Sequence, residues 1–157
     1  MKQLRLPIFN SKIKIYNLRI IPSEAVCNRV ETFKKEFVNF YGKLPLSGSR
    51  PHITIAAFRM NSKFEDLVIE VFNELAQNKS FNLSIDGFSV FEDSKTLHLN
   101  IAHNEALEAL QKQVLYLRNN QLKRKLKSFY ISDSPHMTIS QTTGRKMLYE
   151  SLQHFLK

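Results

Sequence analysis

The chain has 157 residues, 43% of them hydrophobic, so it is the size of one domain with enough apolar material to bury a core. A formal net charge of +9 favours a polyanionic or phosphorylated partner over an acidic one. A single cysteine, Cys27, excludes an internal disulfide and a cysteine-based zinc site, and its neighbours Val26, Val30 and Phe33 predict a buried thiol rather than a nucleophile.

From the N-terminus, Met1-Lys2-Gln3-Leu4-Arg5-Leu6-Pro7 is basic but leads into no sustained apolar stretch, which argues against a signal peptide. No apolar run approaches a membrane span, and no low-complexity tract divides the chain. The expectation is one domain over residues 1–157, cytoplasmic, monomeric and without a membrane partner.

Residues 13–21 alternate as a strand with one change of phase, expected to lie centrally in its sheet. Pro22-Ser23 opens a helix whose apolar positions are Val26, Val30, Phe33 and Phe37, with Lys34, Lys35 and Glu36 on the opposite side and an end near Gly42. A loop rich in Pro, Ser and Gly leads to Pro51-His52-Ile53-Thr54-Ile55, a strand continuing through Phe58. Ser62 and Glu65 have capping-box spacing before the stripe Phe64, Leu67, Val68, Val71, Phe72 and Leu75. Two strand runs follow, from Phe81 through Ile85 to Val90 and from Leu97 to Ile101. They form a hairpin about Glu92–Lys95, and Asp86-Gly87 reverses the alternation like a bulge. Asn104 is the expected N-cap of a helix using Leu107, Leu110, Val114 and Leu117, which fades into a basic run ending at Lys125. A short strand at 128–131 precedes Pro135-His136-Met137-Thr138-Ile139, and Thr143 is the expected cap of a last helix with Met147, Leu148, Leu152 and Phe155 inward. Helices with one apolar stripe must lie outside the sheets, so the fold class is α+β, with two antiparallel or mixed sheets around a groove.

The five-residue pattern at 51–55 returns at 135–139, each time after a polar, turn-prone segment. On a strand, residues two apart share a face. His52 and Thr54 therefore point one way while Ile53 and Ile55 point the other, and His136, Thr138, Met137 and Ile139 repeat the arrangement. One such motif carries little information; two together place two imidazoles and two hydroxyls where a groove between the strands would hold an anion. Phosphodiester hydrolysis needs a base, an acid and donors to the phosphoryl oxygens. His52 and His136 supply the first two and Thr54 and Thr138 the third, without a cofactor or metal. The remaining histidines have no ligand spacing with the motifs. His98 reads first as a solvent-facing strand residue, with an auxiliary groove ligand as the alternative, while His103 and His154 read as surface residues.

At these motifs the sequence resembles the two-histidine (2H) phosphoesterase superfamily, and within it the bacterial 2'-5' RNA ligase group. The resemblance implies two pseudo-symmetric lobes with a central groove, His52 and His136 as catalytic residues, Thr54 and Thr138 as phosphate ligands, and hydrolysis of 2',3'-cyclic or 2'-5' phosphodiester bonds in RNA ends or nucleotides. In that group the second motif commonly runs into an arginine, whereas here Ser140-Gln141 follows. Arg50, Arg59, Lys125 and Lys127 are candidates for flanking phosphates, Tyr130 and Phe58 for stacking on a base, and Ser140 for a substrate contact. Two alternatives stand beside this reading: a small-molecule enzyme opening cyclic phosphates of nucleotides or ADP-ribose derivatives, and an RNA-binding module without turnover.

Overall fold

The computed structural model describes residues 12–157; the N-terminal stretch read above as no signal peptide falls in residues 1–11, outside the described part. Its strands are β1 (Ile13–Ile20), β2 (Ile53–Asn61), β3 (Ile85–Phe91), β4 (Thr96–Ile101), β5 (Leu126–Ile131) and β6 (His136–Gln141). The helices are α1 (Glu24–Tyr41), α2 (Glu65–Asn73), α3 (Glu105–Leu117) and α4 (Arg145–Phe155). Both sheets are three-stranded and antiparallel, in the orders β1-β2-β5 and β3-β4-β6, giving an α+β fold with two sheet lobes. The first motif thus heads a central strand and the second an edge strand. β1 lies at an edge, not centrally, because β2 takes β5 on its other side.

Each sheet buries one face against helices. In the first lobe Phe58 stacks between Tyr16 and Phe129, at 5.7 and 6.1 Å, and meets Phe72 of α2 at 5.9 Å. In the second, Phe88 of β3 packs on Phe33 of α1 and Phe155 of α4, at 5.1 and 4.9 Å. Ile53, Ile55, Met137 and Ile139 are all buried in the common core.

The two motif strands share an irregularity that simple alternation does not predict. Thr54 pairs with Arg19 and Ala56 with Leu18, so Ile55 is the extra residue of a bulge. Thr138 pairs with His98 and Ser140 with Leu97, so Ile139 is the equivalent extra residue. Each bulge leaves a carbonyl to be satisfied. In β2, Ser132 N–H donates to Ile55 O at 2.9 Å, since the chain leaving β5 runs alongside. Among the described residues no strand lies on the side of β6 away from β4. There the Lys34 ammonium donates to Ile139 O at 3.0 Å, and also to Leu46 O at 2.8 Å and Ser49 Oγ at 3.3 Å. Lys34 is therefore 4% exposed rather than on the solvent side of α1. It fastens the loop before the first motif to the bulge of the second, and Gln141 N–H adds a bond to Pro45 O across the same edge.

Other local expectations are revised by competition for partners. Ser62 does not cap α2. The Glu65 carboxylate accepts from Tyr16 O–H at 2.7 Å and pairs with Lys14, so the turn at Ser62–Phe64 is 3-10 and is capped by Asn61, which accepts from Lys63 N–H. Residues 81–84 are not strand, and β3 begins at Ile85, where the register slips before Phe88 and Gly87 takes a φ of 70°. Asn104 caps α3 as expected, accepting from Leu107 N–H at 2.9 Å. Gly144, not Thr143, holds the N-cap of α4, with no side-chain bond.

Burial draws the Lys34 pKa down from 10.5 to about 8, against a smaller raising effect of Glu31. Between those values the unfolded chain keeps a proton that the folded chain has released, so this group's contribution to stability rises with pH across the window, by up to about 3 kcal/mol. Urea unfolding between pH 7.5 and 10 should show the parent protein gaining on Lys34→Met by an amount of that order. A constant difference would contradict the placement of a charged ammonium in the core.

Candidate active site

The two motif histidines are wired alike. His52 Nδ1 lies 2.7 Å from Arg50 O, and His136 Nδ1 lies 2.8 Å from Ser134 O. A carbonyl only accepts, so each ring donates from Nδ1, and in a neutral imidazole Nε2 is left with the lone pair. The intervening Pro51 and Pro135 explain why both copies do this. Proline fixes its own φ and keeps the preceding residue extended, which aims that residue's carbonyl back at the ring two positions on.

Their surroundings differ. Burial lowers the pKa of His52, partly opposed by its bond to Arg50 O, and the charges of Arg19, Lys34 and His136 lower it further. The influence of His136 on His52 reaches across the groove, from one lobe to the other. His136 packs against Phe91 at 4.7 Å and His98 at 5.1 Å, and Phe91 stacks on His98 at 3.9 Å. His98 is on the groove face of β4, paired with Thr138, but only 1% exposed. It is a buried support under His136 rather than a solvent-facing residue. Its Nε2 lies 3.0 Å from Asn100 Oδ1, and burial followed by the charge of His136 holds its pKa below the ordinary value.

Thr54 and Thr138 are partly exposed on the same faces as their histidines, Thr54 beside Arg19 and Thr138 beside His98. Tyr130 joins them: 55% exposed, it lines a cavity of 460 Å³ together with His136, Thr138, Phe91, Asp133 and Leu46, and its hydroxyl donates to Asp133. A larger apolar cavity of 660 Å³ lies on the core side of the motif strands, where it meets Ile53 and Met137 but neither histidine. Its lining carries none of the motif chemistry.

The remaining candidates divide. Arg50 supplies its carbonyl to His52, and the residue borders an adjoining cavity with Lys34, Ser47 and Ser49. Arg59 is exposed, and because the Ile55 bulge shifts the phase it shares a face with Ala57 and Thr54. Ser140 is not available to a substrate. The Ile139 bulge turns it to the core side, as it turns the equivalent Ala56, and at 0% exposure its hydroxyl donates to Pro45 O and Gln141 O. Phe58 is likewise core. Lys125 lies over the Phe64 ring at 4.8 Å, and Lys127 is exposed on β5. His103 is exposed beside Glu108, while His154 is half-buried, 2.8 Å from Glu36 and packed on Phe40 at 4.3 Å. Among the described residues no group of three His, Cys, Asp or Glu could hold a metal ion, and no helix is long and apolar enough to cross a membrane.

Sequence reading missed Arg19, Lys34 and Phe91. Lys34 had a signal, since it falls four residues after Val30 and three before Phe37, on the buried stripe itself. Arg19 and Phe91 depend on strand register, which no local pattern announces.

His52 and His98 fix the sign of the acid response. The unfolded chain protonates both near their ordinary value of 6.5 while the fold resists, so stability should fall as pH drops from that value towards the lowered folded ones. Urea midpoints measured from pH 7.5 down to 5 should decrease, and less steeply in His52→Gln; a flat profile in the parent protein would refute this account.

The family model described as the 2'-5' RNA ligase superfamily matches residues 22–157. A comparison with curated proteins finds no match. The matched region runs from the residue before the α1 N-cap to the end of α4 and includes both His-x-Thr strands. The chain belongs to the 2'-5' RNA ligase superfamily of two-histidine phosphoesterases.

Proposed function

We propose that this protein, acting as one domain, is a metal-independent phosphodiesterase that opens 2',3'-cyclic or 2'-5' phosphodiester bonds at RNA ends or in nucleotides. The observation that carries the reading is the matched wiring of His52 and His136, each with Nδ1 held by a carbonyl and Nε2 left for proton transfer. Binding alone has no need of two such groups, which weighs against a module without turnover.

The roles follow from the surroundings. His52, with its pKa lowered, is the ring that stays neutral and takes a proton from the attacking water at Nε2. His136 gives a proton to the leaving ribose oxygen. The new P–O bond forms to water as the bond to the 2' or 3' oxygen breaks, and the Thr54 and Thr138 hydroxyls donate to the non-bridging oxygens. The net result is one water consumed and one P–O bond of the substrate broken; His52 ends the step protonated and His136 neutral, and proton exchange with solvent returns both to their starting states before the next turnover.

Nucleoside 2',3'-cyclic phosphates, 2'-5' dinucleotides and ADP-ribose cyclic phosphate, each assayed with EDTA present, distinguish the substrate classes by product regiochemistry. His52→Ala and His136→Ala should each lower kcat/KM by roughly a hundred- to ten-thousand-fold, and the double variant by less than the product of the two. Because His52 must be deprotonated to act as base, activity should fall as pH drops through its lowered pKa, giving an acid limb below the ordinary imidazole value. A correctly folded His52→Ala or His136→Ala protein working at the parent rate would end the proposal.

A further inference from the structure

Among the described residues nothing covers the face of the β1-β2-β5 sheet opposite its packed side, and strand register defines what stands on it. The first rung beside His52 pairs Arg19 with Thr54; the second sets Asn17, Ala57 and Tyr130 in a row; the third sets Ile15, Arg59 and Ser128. Residues paired directly across antiparallel strands share a face, and successive rungs on that face are two residues, about 7 Å, apart. Ile15 is 73% exposed, and Arg19, Asn17, Arg59 and Tyr130 are all exposed as well. No salt bridge among the described residues involves Arg19 or Arg59.

This face exists because of the Ile55 bulge. In a regular strand Arg59, five residues after Thr54, would point to the opposite side. The bulge resets the phase, so that Ile55 and Ala56 are both buried and Arg59 returns to the side of Thr54. The outcome is a cation beside the candidate phosphate site, an exposed aromatic ring one rung on, and a second cation one rung further. Cations alternating with a flat ring suit a single nucleic-acid strand, whose charges repeat along its backbone while every base offers a π-face. A free mononucleotide would have no use for the third rung.

We propose that this face is a short single-stranded RNA track of two to three nucleotides leading into the His52–His136 groove. The inference rests on the phosphodiesterase reading and narrows it to oligonucleotide ends. The terminal phosphate lies at Thr54 and Arg19, the adjacent base stacks on Tyr130, whose hydroxyl is anchored on Asp133, and the next phosphate meets Arg59.

The test uses the full chain with EDTA and a series of RNAs of one, two, three and six nucleotides, each ending in a 2',3'-cyclic phosphate. Affinity for the same lengths ending in a non-hydrolysable phosphate analogue is measured in parallel. In the parent protein kcat/KM and affinity should rise from one to three nucleotides and then level off. Tyr130→Ala should raise KM for the dinucleotide and longer RNAs by roughly tenfold or more. Arg59→Gln should leave the mononucleotide unchanged, remove the gain from two to three nucleotides, and reduce the salt slope of trinucleotide binding by about 0.7. Both residues are exposed, so urea midpoints should not change. Turnover of the mononucleotide with no gain in length overturns the track and leaves the enzyme standing. Length-dependent, Arg59-sensitive binding without turnover supports the track and overturns the reaction instead.

Discussion

The structure depends on satisfying one backbone carbonyl in each motif strand. A bulge in each motif strand turns the chain so that the His-x-Thr pair faces the groove while the next two residues face the core, and the bulge leaves Ile55 O and Ile139 O without their regular ladder partners. An unpaired buried carbonyl costs on the order of 1–3 kcal/mol. Around Ile55 the neighbouring chain supplies Ser132 N–H. On the side of Ile139 away from β4 no strand of the described residues follows, and the side chain of a lysine in α1 turns into the interior to serve. The same ammonium gathers Leu46 O and Ser49 Oγ, so the loop that presents the first motif is referenced to the strand that carries the second.

That cross-connection makes the two lobes chemically unequal although their motifs are alike. Burial first, and the nearby charges of Arg19 and Lys34 after it, disfavour the His52 cation. His136 instead rests on an aromatic stack of Phe91 and His98. In the proposed reaction a pair of identical imidazoles would have to divide acid and base roles by chance, and it is the lowered pKa of His52 that would favour it as the base.

Much of this was legible in the sequence. The repeated Pro-His-apolar-Thr-Ile pattern gave the strands, the facing of the side chains and the family, because a period of two is unambiguous when it occurs twice. Helix positions followed from stripes such as Val26, Val30 and Phe37. What could not be read was where alternation fails. Ser140 looks like a groove residue by counting from His136, and only the bulge at Ile139 explains its burial. The reverse holds for Arg59, which correct alternation would have sent to the wrong side. Lys34 was misread because charge was taken as a marker of solvent, when its position on the stripe said otherwise. His98 was misread because the cover over it, Phe91, comes from a different strand.

The strand order also ties the two halves of the chain together in time. β5 follows α3 in sequence yet completes the first sheet, beside β2. Until residues 126–131 have left the ribosome, β1 and β2 form only a two-stranded ribbon, which is marginal in water by itself. The N-terminal half therefore cannot reach its finished form before β5 has been made, although it carries a complete motif of its own. The groove needs strands from both halves of the sequence, so the two histidines come into register only once β5 and β6 are both in place.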